Sequence, residues 1–329
     1  MGKFINDKAT IVEELLEGFA LLHGDLVEVD GRMVVSRELE KADRVTIVTF
    51  GGSGHEPAQL GYVGKGMLDI QVVGDVFTAP GPRTVFEALQ RADKGHGVLL
   101  FVLNHAGDML TGNMVMKMAE MAGMNVRRIV TQEDIANAPR GDGTNRRGLA
   151  GAVPLYHIAA AAAAEGRSLD EVAALAERYA NSMATVAVAT KFATNPFTGE
   201  SMGSLGDDEM EIGAGQHGEG GGGIQPFRGA AETVGLMARE LVADIQLARG
   251  DKAFVMVDGA GATTMMELLI LYKDCVRYLE EIGVEVVAQM VGEILTTQEQ
   301  AGFQLSMAKW DDEFLRLWKT PALTPAFRM

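Results

Sequence analysis

Short apolar runs rich in β-branched residues alternate with longer stretches of helical spacing along this chain, and several of the short runs end on glycine. Val45–Phe50 runs into Gly51-Gly52-Ser53-Gly54-His55-Glu56-Pro57. Gly97–Leu103 runs into Asn104-His105-Ala106-Gly107-Asp108, and Ala253–Val257 into Asp258-Gly259-Ala260-Gly261. Strand–helix alternation of this kind implies mainly parallel sheets covered by helices. In such sheets ligands sit beyond the carboxyl ends of strands, where loops turn into helices. Each of the three loops therefore lies where a ligand is expected.

The remaining elements follow the same rhythm. Ile11, Leu15, Phe19 and Leu22 recur at helical spacing, with Asp7 placed to cap them. A Met-rich helix is expected over Met109–Met121, a strand over Val126–Thr131, and alanine-rich helices over 151–166 and 169–181. Residues 132–148 read as a polar surface or functional loop. A strand over Met183–Thr190 opens a second series: helix 229–249, helix Met265–Ile282, strands Val284–Met290 and Phe303–Lys309, and a short helix at Asp311–Trp318. At 329 residues two domains are expected. Periodicity fails through Asn195–Asp208, which places the boundary near residue 185. The expectation is two α/β domains, 1–185 and 186–329, each a mainly parallel mixed sheet flanked by helices.

The formal net charge of −16 argues against a nucleic-acid or anionic-membrane surface, which needs clustered Lys and Arg. The single cysteine, Cys275, excludes an intrachain disulfide or a Cys-based zinc site and reads as a buried thiol in a helix. Ala159–Ala164 is too short to span a bilayer, and no apolar segment follows a basic start, so a cytoplasmic enzyme is expected. The nineteen methionines read as core filler.

Gly213-Ala214-Gly215-Gln216-His217-Gly218-Glu219, continuing through Gly220–Gly223, is the densest chemical signal. Glycine runs pack nothing, so a folded protein keeps one where backbone must approach something closely. With Gly54-His55-Glu56 it makes two Gly-His-Glu sites in a chain of six histidines, which suggests a catalytic cleft between the two domains. Nucleotide readings fail: Gly64-Lys65-Gly66 lacks the Walker A hydroxyl, and Gly213-x-Gly215-x-x-Gly218 is followed by glycine rather than a helix. Asp258–Thr264 reads as a phosphate cradle or, more simply, a tight turn. No helical His pair suggests a metal, and His23, His96 and His157 read as capping or surface residues. Asp108 reads equally as the N-cap of the Met-rich helix and as a general base. His55 is similarly two-sided, while His217 has little structural reason to be where it is.

Taken in order, these motifs resemble the dihydroxyacetone kinase K subunit family. The resemblance rests on Gly51–Pro57, Gly61–Met67, Gly74-Asp75-Val76-Phe77, Asn104–Asp108, Arg147–Gly151, Gly213–Glu219 and the Thr320–Phe327 tail. It implies that a nitrogen of His217 adds to a ketone carbonyl and holds the substrate as a hemiaminal, that His55 and Asp108 act on the hydroxyl to be phosphorylated, and that Gly52, Ser53 and Gly54 line the substrate. It also implies that no nucleotide binds this chain. Mg-ATP or ADP is expected on a separate all-helical L-type subunit, possibly recharged by a sugar phosphotransferase-system protein, and the chain is expected to form a homodimer. Family members usually carry lysine where this chain has Leu103, an aromatic where it has His105, and proline where it has Gly220. The ketose is accordingly dihydroxyacetone or a four-carbon relative such as erythrulose, and a ligand-sensing co-activator that transfers nothing is the alternative class.

Overall fold

A computed structural model describes residues 3–217 and 219–329 of the chain, so Gly218 of the glycine loop lies outside the described residues. The chain divides into two compact units. One contains the segment up to Thr131, Ala152–Arg178 and Arg316–Met329; the other contains Gln132–Gly151 and Tyr179–Leu315. The sequence reading placed one linear boundary near residue 185, whereas the structure crosses between units four times. The reason is that the alanine-rich segment and the C-terminal tail both pack into the first unit.

The first unit holds a six-stranded sheet in the order β1-β2-β4-β3-β5-β6. Its strands are β1 (Val27–Asp30), β2 (Met33–Ser36), β3 (Thr46–Ser53), β4 (Ile70–Val76), β5 (Val98–Leu103) and β6 (Val126–Thr131). β4, β3, β5 and β6 run parallel, and the β1–β2 hairpin adds the antiparallel edge. Alternate residues Val48, Phe50, Ile70, Val72, Leu100 and Val102 pack under helices α2 (Pro82–Ala92) and α3 (Ala106–Met121). Helix α1 (Ile11–His23) precedes the sheet, starting beyond a turn in which Asp7 accepts from the Ala9 N–H.

The alanine-rich run forms α4 (Ala152–Ala164), buried from Ala152 to Ala163. A helix apolar on every side is stable only when surrounded. Tyr156 of α4 meets Phe101 edge-on at 5.2 Å and its hydroxyl accepts from Gln59 Nε2. His157, expected at the surface, is instead fully buried in α4. Its Nδ1 and Nε2 lie 2.8 and 2.9 Å from the carbonyl oxygens of Gly66 and Trp318, and its ring packs against Trp318 and Phe327. The tail thus closes on α4, and Leu323 and Ala326 donate to the Lys65 and Gly61 carbonyls.

The second unit holds a sheet in the order β11-β10-β12-β7-β8-β9. Its strands are β7 (Met183–Lys191), β8 (Glu209–Ile212), β9 (Gly223–Pro226), β10 (Lys252–Gly259), β11 (Glu285–Gly292) and β12 (Ala301–Trp310). Only β10 and β11 are parallel; the other pairings are antiparallel. The sheet is mixed, as expected, but mainly antiparallel, because a short link returns the chain from β11 into β12 and β8–β9 is a hairpin. Helices α5 (Leu169–Ser182), α6 (Ala230–Asp244), α7 (Met265–Ile282) and α8 (Asp312–Trp318) complete the chain. Cys275 of α7 lies in the core beside Leu271 and Leu279, its thiol pushed up to about 12 by burial. The methionines divide: Met237 and Met307 fill this core, while Met114, Met121 and Met266 are exposed. No helix among the described residues is long and apolar enough to cross a membrane.

A neutral imidazole donates from only one ring nitrogen, so replacing His157 by Leu takes one hydrogen bond away from the Gly66 or Trp318 carbonyl. At about 1–3 kcal/mol per polar group left unmet, the variant should lose roughly 1–3 kcal/mol in urea unfolding, with an unchanged m-value.

Candidate functional site

In the first unit the outgoing connections of β3 and β5 run to opposite sides of the sheet, since β3 leads to β4 on one flank and β5 to β6 on the other. Such a switch point opens a crevice at the carboxyl ends of the two strands. The loops there are Gly51–Pro57 and Asn104–Asp108.

The glycine motif begins while the backbone is still strand. Gly51, Gly52 and Ser53 remain paired with β4, with a register shift between Gly52 and Ser53. A Cβ on Gly52 would lie 2.6 Å from the Thr78 nitrogen, so glycine here lets the 75–78 turn close over β3. Gly54 then turns the chain with φ +94°, a conformation that L side chains rarely adopt. Its N–H donates to both Glu56 carboxylate oxygens at 3.0 and 3.1 Å, and burial holds the Glu56 carboxyl above its usual range. His55 is 8% exposed, its ring 5.1 Å from that of Phe77. Phe77 itself stands at φ +57° and donates its N–H to the Ser53 carbonyl. A bulky residue in that region costs on the order of 1–3 kcal/mol, strain of a kind found at ligand sites. The Ser53 hydroxyl is buried with no hydrogen-bond partner among the described residues.

Asp108 is not the N-cap of α3. His105 takes that position, without a side-chain cap bond, and Asp108 falls in the first turn. A helix N-terminus favours an anion, yet burial outweighs it and pushes the Asp108 carboxyl up to about 7. The residue is half-buried overall, but its Oδ1 is closed off from solvent and lacks a partner among the described residues. Thr111 of α3 donates to the Pro80 carbonyl and fixes the helix against the loop after β4. Leu103, the last residue of β5, is 6% exposed.

In the second unit the His217 segment connects β8 to β9, two strands that the sequence reading did not mark. The pair is antiparallel, with Ile212 opposite Gly223, and the glycine run is the hairpin loop between them. His217 donates its backbone N–H to Glu219 Oε2 at 2.9 Å, and its Nδ1 lies 3.9 Å from Glu219 Oε1. Gly215 N–H donates to the Glu219 carbonyl at 2.6 Å. The His217 side chain is 29% exposed. Its pKa is lowered, first by burial and further by the Arg147 cation, against the opposing pull of Glu219. The imidazole is therefore neutral at neutral pH, with a lone pair on one ring nitrogen.

Arg147 is the residue that sequence reasoning passed over. It was visible only as part of the Arg147–Gly151 turn. Its Nε donates to Asp134 Oδ2 at 2.6 Å and its Nη2 to the Gly213 carbonyl at 2.8 Å, and its Nη1 lies 3.4 Å from Glu219 Oε1. Asp258, by contrast, is still in strand β10: it is fully buried and accepts the N–H groups of Ile294 and Leu295. Thr264 and Glu267 cap α7 reciprocally.

Both units are α/β scaffolds, each carrying an ionisable group that burial has moved toward its neutral form. A family model described as the Dak1 domain matches residues 17–326, and the chain belongs to that family. It is 39% identical over 329 residues to the PTS-dependent dihydroxyacetone kinase 1, dihydroxyacetone-binding subunit DhaK, of Listeria innocua, covering 99% of this chain and 100% of that protein. The D-erythrulose kinase of Mycolicibacterium smegmatis is 32% identical over 328 residues, which cover 100% of this chain and 57% of the relative. Among solved structures, a dihydroxyacetone kinase operon co-activator, Dha-DhaQ, matches with a TM-score of 0.89 at 31% identity, over 96% of this chain and 97% of the other.

Because the Asp108 carboxyl titrates near 7 when folded, against an ordinary value of 3.8, ionising it in the folded chain opposes folding. The cost is small at pH 4, builds as pH rises toward 7, and levels off above it. Asp108→Asn should therefore gain thermal stability over the parent chain at pH 8.5 and show little or no gain at pH 4, measured as paired melting curves.

Proposed function

We propose that this chain is the ketose-binding subunit of a dihydroxyacetone-kinase-type phosphotransferase with an alcohol group as acceptor. The observation that carries it is the neutral, half-buried imidazole of His217 on a glycine hairpin, in a chain of the Dak1 family. A ring nitrogen of His217 bonds to the ketone carbon, the carbonyl π pair moves to oxygen, and that oxygen takes up the proton the other ring nitrogen gives up. The product is a neutral hemiaminal, and polyols without a carbonyl are refused. Fixing the ketose in this way converts an encounter into an oriented reactant.

His55 hydrogen-bonds the captured substrate, and Gly52, Ser53 and Gly54 line it. The orphaned Ser53 hydroxyl supports this reading. Asp108 accepts the proton of the hydroxyl that attacks phosphorus. A carboxyl near 7 with an unpartnered oxygen suits a general base working around neutrality. Magnesium and nucleotide belong to an L-type partner, and a phosphotransferase-system protein is the phosphoryl source by analogy with the Listeria relative. A homodimer in the cytoplasm is the expected state.

The erythrulose kinase among the relatives and Leu103, in place of the family lysine, favour a second substrate, erythrulose. The co-activator likeness favours a non-transferring sensor. Binding without product in the presence of a cognate nucleotide subunit would establish the sensor.

Intact-mass spectrometry with dihydroxyacetone and with erythrulose tests capture directly. An adduct should form on the parent chain and on Asp108→Asn, and vanish in His217→Ala; an adduct surviving that last change overturns the assignment. Capture needs the neutral imidazole, whose pKa lies below the ordinary 6.5. Adduct formation should therefore fall toward acid pH with its midpoint below 6.5. Phosphoryl transfer needs ionised Asp108, so turnover should rise with pH through about 7.

A further inference from the structure

We propose that Arg147 is a positioning residue for ketose capture, its buried guanidinium acting as the template around which the His217 hairpin is folded. The inference rests on the capture role of His217 proposed above.

Three sides of the guanidinium are occupied. Asp134, fully buried, takes the Nε hydrogen bond and is itself fixed, accepting the Ala136 N–H at Oδ1 while its own N–H donates to the Arg147 carbonyl. The flanking backbone is pinned to β7, since Ile135 donates to the Thr185 carbonyl and Thr185 to that of Glu133. On the other sides the guanidinium grips both limbs of the hairpin, the Gly213 carbonyl on one and the Glu219 carboxylate and carbonyl on the other. Glu219 passes this constraint directly to His217 through the 2.9 Å bond from the His217 N–H.

The glycines fit the same picture. A Cβ on Gly215 would lie 2.4 Å from Arg147 Nη1 and 2.2 Å from Glu219 Cδ, and one on Gly221 would lie 3.1 Å from Nη2. Bare backbone at these positions is what lets the loop close around a planar cation. Lysine offers a single point charge and no planar fork, so it cannot bridge three partners in fixed directions. The same cation opposes protonation of the ring, which keeps the nucleophile available.

Titrating the chain with dihydroxyacetone and reading adduct occupancy by intact mass separates positioning from folding. Arg147→Lys and Arg147→Met should each raise the half-saturating ketose concentration at least about tenfold while reaching the parent plateau at high ketose. A merely structural role would lower the plateau, through unfolded chain, without moving the midpoint. Should Arg147→Met fail to fold, Arg147→Lys decides. Midpoints equal to the parent, or a loss confined to the plateau, overturn the proposal while leaving capture intact. A parent chain that forms no adduct overturns capture and this proposal together.

Discussion

A run of glycines has no side chains with which to hold itself in one shape, and here the missing constraint comes from a buried ion pair. Burying Arg147 against Asp134 takes two charges out of water, a penalty of several kcal/mol per ion that a simple pair does not recover. Hydrogen bonds to the Gly213 and Glu219 carbonyls, with the Glu219 carboxylate 3.4 Å away, help to offset it. These contacts of the cation are made only when the hairpin is formed, and they add to the β8–β9 ladder that closes it. Residues far apart in the chain, 132–151 and 209–226, become one structural unit through these contacts.

The two ionisable groups assigned chemistry have been shifted by the same force with opposite consequences. Burial raises a carboxyl and lowers an imidazole, because each loses its charged form first. For Asp108 the result is a base that is half-ionised near pH 7 rather than fully ionised and weakly basic. For His217 it is an imidazole that resists protonation, as the proposed capture requires. Neither shift needs a metal or a specific charge partner to begin. Their opposite directions suit the proposed division of labour between capture and proton transfer.

Most long elements and the short helix α8 were legible in the sequence, whereas α2 and the four-residue strands were not. α7 begins and ends at the expected Met265 and Ile282, and β6 spans the expected Val126–Thr131, because apolar periodicity or a β-branched run marks each of them. β1, β2, β8 and β9 each have four residues, too few for alternation to stand out, and β4 was obscured by the Gly74-Asp75 pair inside it. His55 and Asp108 stood out as candidates because a loop that ends a buried strand is a recognisable place. Reading Asp108 as a cap failed by one turn geometry: the helix starts at Ala106, so His105 precedes it. Arg147 was invisible because its meaning lies in a contact with Gly213, sixty-six positions away. Likewise a histidine inside an alanine-rich helix gives no local sign that carbonyls from Gly66 and Trp318 will meet it.

The placement of residues 316–329 has an implication for synthesis. These residues belong with the strands made first, yet they leave the ribosome last among the residues of this chain. Until then the pocket around His157 lacks Trp318 and Phe327, and the nascent first unit exposes an unfinished apolar wall. The interposed unit has all its own strands and helices by residue 315 and is free to mature earlier. Ribosome-bound chains of increasing length should thus gain protease resistance in the later-encoded unit before the earlier one, an inversion of the usual vectorial order.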